Sequence, residues 1–343
     1  MAIRSLSVLV DGSEGKEFLA EKYKGLIENV QAKTISNLFK NTELSGDPDA
    51  GTLKAKRFTN SKSNQYGTAR TSGKGQALKD QGVAVDIDVD REIVEEIEEK
   101  DVKLLGVEGL VNKRSDNHEK SMVRELDEAF FLCAAKEGTK LTTTGDTVKK
   151  RLDELVLKLH KTKNEYVDGV DKDLIHVTLD PEAYEEIRDY IDTKANANVD
   201  TSIEEFGKYH GVHVYSNIHQ PAGVEMIAMC VESIAQPVMP SPYEPSRIPL
   251  SKAIAIELYY SYGTKAVTPD LIYYVGDLAD NTPAVASMSV ADGEGQPAPA
   301  GDGLDNMTVE QLKAYAEENG YSVTQTKKAD IIQEIRTQIE AQV

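Results

Sequence analysis

Residues 123–130 read Val-Arg-Glu-Leu-Asp-Glu-Ala-Phe, and they sit in the most regular stretch of the chain. Around them, residues 116–137 predict a strong amphipathic helix. Val123, Leu126, Phe130 and Cys133 recur on one stripe. Asp116 and Glu119 have the spacing of a capping box, and Gly138 stands where a helix stops. Fifty residues later Leu174-Ile175-His176-Val177-Thr178-Leu179 is rich in strand formers. It runs directly into Asp180-Pro181-Glu182-Ala183-Tyr184, where Asp180 caps a helix and Pro181 takes its first position. A long helix followed by a strand–helix unit sets the frame for everything else.

Upstream, residues 14–40 predict a helix, because Phe18, Leu19, Tyr23, Leu26, Ile27, Val30, Ile35 and Leu38 recur at helical spacing. Residues 44–51 (Leu-Ser-Gly-Asp-Pro-Asp-Ala-Gly) break it, which makes the helix an N-terminal arm. Residues 51–91 predict a long, wide hairpin. Its return strand is Val83 to Asp90, with Val83, Val85, Ile87 and Val89 on one side and acids on the other. A long polar stretch, residues 60–82, separates the two strands, and a loop of that length is usually functional.

Charge reverses along this stretch. Residues 51–80 hold about seven basic groups and one acid, whereas residues 81–110 hold about ten acids and three basic groups. Lys54 and Lys56 are expected to pair across the ladder with Asp86 and Asp88. Two readings stay open: a solvated hairpin with paired charges, or a protruding arm that docks on a neighbouring subunit.

Downstream of the long helix, Asp146 to about Lys163 predicts a second helix with Val148, Leu152, Leu155, Val156 and Leu159 inward. Tyr184, Ile187 and Ile191 line the helix after Pro181. Val212 to Tyr215 and Met226 to Val231 predict strands, and the five prolines in Gln236 to Pro249 an extended connection. Ile254 to Tyr262 and Leu271 to Val275 predict two more strands, paired as a hairpin across Gly263 and Pro269. Residues 276–306 contain six acids and neither a basic nor an aromatic residue, which predicts a flexible linker. It would span on the order of 30 Å. Residues 307–343 predict a helix–loop–helix, opened by the capping pair Thr308 and Gln311.

The whole chain has 343 residues and a formal charge of −19, from 39 basic and 58 acidic side chains. That balance argues against a protein that coats nucleic acid, which needs a basic surface. The length suggests about two domains. Cys133 and Cys230 are expected to be reduced core thiols in a cytoplasmic product. The first ten residues lack the pattern of a signal peptide, and no run of 18 apolar residues predicts a membrane span.

Stretches that approach catalytic or ligand-binding motifs each depart from them. Gly67 to Gly75 departs from a phosphate loop, with five residues between its first two key glycines and Gly75 where the loop needs Ser or Thr. Asp86-Ile87-Asp88-Val89-Asp90 departs from a calcium loop, with Arg91 at the turn glycine and Ile97 at the final glutamate. His210, His213 and His219 cluster in sequence without a further ligand of fixed spacing. Glu95-Glu96 and Glu98-Glu99 read as a solvated charge run. The expectation is no catalytic residue, no cofactor and no metal.

The order of elements, arm, hairpin, long helix, α/β unit and β-rich return, resembles the major capsid protein of tailed bacteriophages, the Hong Kong ninety-seven coat fold. Several segments are similar to that family's patterns. Glu125-Leu126-Asp127 to Phe130 resembles the segment Glu–apolar–Asp–x–x–aromatic of its spine helix. Leu174 to Tyr184 resembles the axial-domain strand and helix. Phe206 to Ser216 and Tyr260-Ser261-Tyr262-Gly263-Thr264-Lys265-Ala266-Val267-Thr268-Pro269 resemble the glycine-marked approaches to later strands. The resemblance covers about residues 15–275.

It implies an α+β coat fold divided as follows: N-terminal arm 1–44, hairpin arm (E-loop) 45–95, and peripheral domain with spine helix 96–143. An axial domain 144–235, a return to the peripheral domain 236–275, an acidic linker 276–306 and a helix–loop–helix (SAP-like) appendage 307–343 complete it. It implies a structural protein, not an enzyme, that self-assembles into hexamers and pentamers of an icosahedral head around double-stranded DNA. The DNA is enclosed without sequence-specific binding. Other implied partners are the portal and a separate scaffolding protein, since no long scaffolding segment precedes the arm. The place of action is the virion, after synthesis in the host cytoplasm, with no membrane involved. Lys54, Lys56, Arg57, Lys62, Arg70, Lys74, Asp86 and Asp88 are the expected arm contacts between subunits. The alternatives are a nanocompartment shell or a nucleic-acid-binding protein acting through the C-terminal module. That module is expected to make protein contacts, since its acids outnumber its bases six to four.

Overall fold

A computed structural model describes residues 6–44, 52–61, 79–192, 208–248 and 253–279, with a few isolated positions between them. Residues 280–306 of the linker, the helix–loop–helix appendage, and Lys62, Arg70 and Lys74 lie outside the described residues, while Gly276, the first linker residue, ends β14. In chain order, the N-terminal helices are α1 (Leu6–Asp11) and α2 (Ser13–Lys33), then a 3-10 turn at Ser36–Leu38. β1 (Thr52–Phe58), β2 (Asp80–Asp86), β3 (Val89–Ile97) and the long α3 (Glu99–Glu137) follow. Next come β4 (Thr139–Lys140), α4 (Val148–His160), β5 (Ile175–Leu179) and α5 (Pro181–Asp192). The remaining strands are β6 (Lys208–Tyr209), β7 (Val212–Ser216), β8 (Val224–Cys230), β9 (Ile234–Ala235), β10 (Val238–Pro240) and β11 (Glu244–Arg247). Last are β12 (Ile254–Tyr262), β13 (Lys265–Ala266) and β14 (Ile272–Gly276).

Two sheets organise the core. A six-stranded mixed sheet runs β4-β14-β8-β5-β7-β6. Its strands read as continuous apolar runs, such as Met226-Ile227-Ala228-Met229, because both faces are covered. Met226, Ala228, Tyr273 and Val275 pack under α4 and α5 with Leu152, Leu155, Leu159, Tyr184 and Ile187. Ile227, Met229 and Ile272 point the other way, onto Phe39 and the end of α3 at Phe130, Phe131 and Ala134. In the second sheet β12 is central, flanked by β3, β10 and β11. One face of it packs on α2 and the middle of α3 through Leu19, Leu26, Val30, Met122, Leu126, Leu258 and Tyr260.

Several sequence expectations need correction. Asp116 and Glu119 do not cap a helix, because they lie inside α3, whose long regular part begins just after Gly106, where a non-helical backbone (φ 71°) separates it from a short opening stretch at Glu99. The N-terminal helix stops at Lys33, and a 3-10 turn replaces its last expected turn. The expected return strand is two strands, β2 and β3, broken at Ile87-Asp88. β12 and β14 do not form a hairpin: β12 pairs with β3 over nine positions, and β14 pairs with β8 in the other sheet. Lys54 and Lys56 do not face Asp86 and Asp88 either. In the β1–β2 register Lys54 lies opposite Ala84 and Lys56 opposite Gly82, while Thr52 lies opposite Asp86.

Among the described residues no helix is long and apolar enough to cross a membrane.

Candidate subunit-contact site

β1 and β2 form a two-stranded ladder that belongs to neither sheet. Its inner residues Leu53 and Val85 rest on Leu44, Ala235 and Val267. Lys54 and Lys56 point to solvent, as do Asp86 and Asp88. Lys56 makes an ion pair of 2.9 Å with Asp80, and Asp86 accepts a hydrogen bond of 2.9 Å from the Thr52 hydroxyl. Arg57 behaves differently. Its guanidinium makes a two-pronged bond to Asp270, at 2.5 and 2.9 Å, and only 13% of its side chain is exposed.

The joint between this ladder and the sheet is shaped by Gly263. A Cβ there would lie 1.9 Å from the Asp86 carbonyl oxygen and 3.2 Å from the Ile87 Cα. No side chain fits, so the end of β12 passes directly against the Ile87-Asp88 break. The glycine singled out in the sequence thus serves the root of the arm.

The quoted stretch of α3 ties the surrounding elements together. Glu125 accepts from Arg91 of β3 and from the Tyr260 and Tyr262 hydroxyls of β12, at 2.5 and 3.1 Å for the tyrosines. Asp127, 1% exposed, accepts from the backbone amides of Ile35 (3.2 Å) and Ser36 (2.9 Å) and so caps the 3-10 turn after α2. Burial pushes its carboxyl up, against the pull of those amides. Phe130 fills the core between α3 and the six-stranded sheet. One turn before Val123, where the quoted stretch starts, Glu119 holds α2 through Asn29 (2.9 Å) and Lys33.

A second polar network, half-buried at Arg114 and buried at His118, lies between β3 and α3. Glu95 binds Arg114 through both oxygens and lies 3.0 Å from His118 Nε2, while His118 Nδ1 lies 2.9 Å from the Tyr243 hydroxyl. Burial favours the neutral Glu95 carboxyl, yet Arg114 and His118 outweigh it and hold the pKa down at about 2. Glu95 is therefore not part of a solvated run. It takes a core-facing place in the alternation of β3, between Ile93 and Ile97, whereas Glu92 and Glu96 face solvent.

The outer face of β3, β12 and β11 is acidic. Asp90, Glu92, Glu96 and Glu244 are exposed, and Glu257 is half-buried. Two large apolar groups stand among them, Val94 at 47% and Tyr259 at 37% exposure.

The histidines are dispersed. His213 lies on β7 beside His176 of β5, ring centres 4.7 Å apart, His210 meets Tyr209 edge-on, and His219 sits in the turn after β7. Burial, then the neighbouring His213, depresses His176 to about 4. Both cysteines are free thiols, and burial pushes Cys133 up to about 12 and Cys230 to about 11.

This arrangement matches solved structures from phages. A chain from Mycobacterium phage Che8 superposes with a TM-score of 0.53 and 16% identity, covering 80% of this chain and 92% of that one. A chain from the capsid of the cyanophage P-SCSP1u gives 0.54 and 12%, covering 68% and 85%. One from the capsid of Ralstonia phage GP4 gives 0.50 and 11%, covering 71% and 87%. The chain has the phage capsid fold. No protein-family model matches it, and no curated protein is significantly similar.

Sequence reasoning missed Glu95, His118 and Asp270, and with Asp270 its neighbours Asn164, which donates to it, and Tyr166, whose ring lies 4.2 Å from the Arg57 guanidinium. Only Glu95 carried a usable signal, its phase in the β3 alternation. Asp270 follows directly on Pro269, but its partner lies 213 positions away.

Proposed function

We propose that the protein is a capsid subunit that builds the head shell of a tailed phage. The observation that carries this reading is the fold shared with the cyanophage and Ralstonia phage capsid chains over about two thirds of the sequence. In this reading the subunits form hexamers and pentamers of an icosahedral shell around double-stranded DNA. They meet a portal and a separate scaffolding protein, and the shell's place is the virion. The role is structural: the chain does its work by repeated weak contact, which multivalency sums into a stable shell.

Charge supports a head-to-tail contact between copies. The arm presents Lys54 and Lys56 to solvent, Lys56 already paired with Asp80, and the outer face of β3, β12 and β11 is acidic with apolar groups at Val94 and Tyr259. Different patches meeting in this way generate rings. Lys62, Arg70 and Lys74, in the same basic stretch of sequence, are proposed to add to the arm's side of the contact. Asp86 and Asp88, at the arm's root, are proposed to border it.

The test is the pair of reversals Lys54→Glu and Lys56→Glu in the full chain. These side chains are exposed, so the subunit should fold as before while rings and shells are lost to electron microscopy. Normal shells from the double variant would refute the arm contact. Arg57 is left alone in this test because its side chain is engaged within its own subunit.

A further inference from the structure

The β1–β2 ladder is fastened to the body near its outer end. The β1–β2 ladder leaves the body at Thr52 and Asp86 and runs to Phe58 and Asp80. At about 3.3 Å per residue its seven pairs span roughly 20 Å. Near that outer end, Arg57 lies opposite Gln81, and both residues are gripped by the chain's own body.

The grip has four parts. Asp270, in the 3-10 turn Pro269–Leu271, receives the guanidinium of Arg57 through both oxygens. Tyr166 lays its ring 4.2 Å from the guanidinium carbon, and its hydroxyl donates to Gln81 Oε1 at 3.2 Å. Asn164 donates its amide to Asp270, while its own oxygen accepts from the backbone amides of Tyr166 (2.9 Å) and Val167 (2.8 Å). Finally, the Asn60 amide donates to the Glu165 carbonyl at 2.9 Å. Beneath the ladder is an open cleft of about 590 Å³, bounded by Gln81 to Ala84 on one side and Glu137 and Lys265 on the other.

A planar guanidinium, a carboxylate set to meet it with two bonds, and an aromatic ring on its face make a built arginine receptor. A lysine could fill the charge but neither the fork nor the stack. The leverage is also telling. The clasp acts at the end of the ladder farthest from the Ile87-Asp88 joint, where one contact most constrains the arm's direction.

We propose that Asp270, Asn164 and Tyr166 form a receptor for Arg57 that holds the arm on its own subunit before assembly. Releasing the clasp frees the arm to reach a neighbouring copy. The clasp itself is a property of the single chain, whereas its consequence for assembly rests on the shell reading.

Hydrogen exchange on the unassembled full chain tests the clasp. In Asp270→Asn, which keeps the shape and removes the charge, the amides of residues 52–58 and 80–86 should exchange about tenfold faster. Those of β5 and β12 should keep their rates. Arg57→Lys should fall between that variant and the wild type. The exchanged pair Arg57→Asp with Asp270→Arg should recover much of the protection. Unchanged arm amides in Asp270→Asn, or equal acceleration in β5 and β12, would overturn the clasp. Recovery of protection on mixing the two single charge variants would show a grip between copies and overturn the single-chain assignment. Assembly is read separately by light scattering: faster shell growth by Asp270→Asn supports release as the controlling step, and slower growth refutes it. A wild-type chain that never forms shells would refute the shell reading and leave the exchange result standing.

Discussion

Replacing Glu95 with Gln should change the acid sensitivity of the fold by a calculable amount. The Glu95 carboxyl lies near 2 in the folded chain, against an ordinary value of 4.5. The folded state thus binds its proton later than the unfolded state. The stability from this group is complete above the unfolded value and is lost as pH falls toward the folded one. The gap is worth about 3 kcal/mol in full, and about 2 kcal/mol of it is lost between neutrality and pH of about 3. Glu95 is only 19% exposed, so solvent screens little of this. At neutral pH the substitution also leaves Arg114 and His118 without their carboxylate, which makes the variant less stable by roughly 2–3 kcal/mol, since the Arg114 side chain is 40% exposed and water screens part of the loss. The assay is urea unfolding of the unassembled chain and of the variant, followed by circular dichroism at several pH values. Differences between the two cancel the other carboxylates, provided distant sites add. The stability gap should narrow by about 2 kcal/mol between neutrality and pH of about 3. A gap that stays constant over that range would refute the reasoning.

Further outcomes follow from the same geometry. Asp127→Ala should cost about 1–2 kcal/mol by uncapping the turn at Ser36, and exchange at the Ile35 and Ser36 amides should rise with it; unchanged exchange there would show that the cap is idle. Phe130→Ala should cost about 3–5 kcal/mol in the same unfolding assay, as expected for a fully buried ring. His176 is depressed by burial and by His213, so its contribution is present above its unfolded value and fades as pH falls toward about 4. His176→Phe should therefore flatten the loss of stability between pH of about 6.5 and 4, and an unaltered pH profile would argue against it. Gly263→Ala should loosen the arm root, since its Cβ would meet the Asp86 carbonyl; faster exchange in β2 checks this.

Local patterns carried much of the fold, and long-range pairing carried the errors. The stripe of α4, the strand β5 and the proline-started α5 were legible because each is written in consecutive residues. The break at Ile87-Asp88 was hidden, because the alternation of Val83, Val85, Ile87 and Val89 continues straight across it. The nearness of Gly263 and Pro269 suggested a hairpin of β12 with β14, yet β12 finds a better partner in β3. There Leu258 pairs with Ile93 and Ile254 with Ile97, apolar against apolar on the face toward α3. Asp116 and Glu119 have a capping spacing but lie inside a longer helix, where Glu119 serves α2 instead. The arm was legible as a hairpin with charge, but its fastening was not. Arg57, Asn164, Tyr166 and Asp270 come from three separate parts of the chain, and nothing in local spacing joins them.

The central claim is that copies of this chain build a shell. The most direct measurement is electron microscopy of the purified full-length chain, concentrated and fractionated by size-exclusion chromatography. The account predicts closed particles, tubes or six-membered rings in which the arm crosses between subunits. A chain that remains a single folded copy at high concentration, with and without added excluding osmolyte, and forms no ring, tube or shell would contradict it.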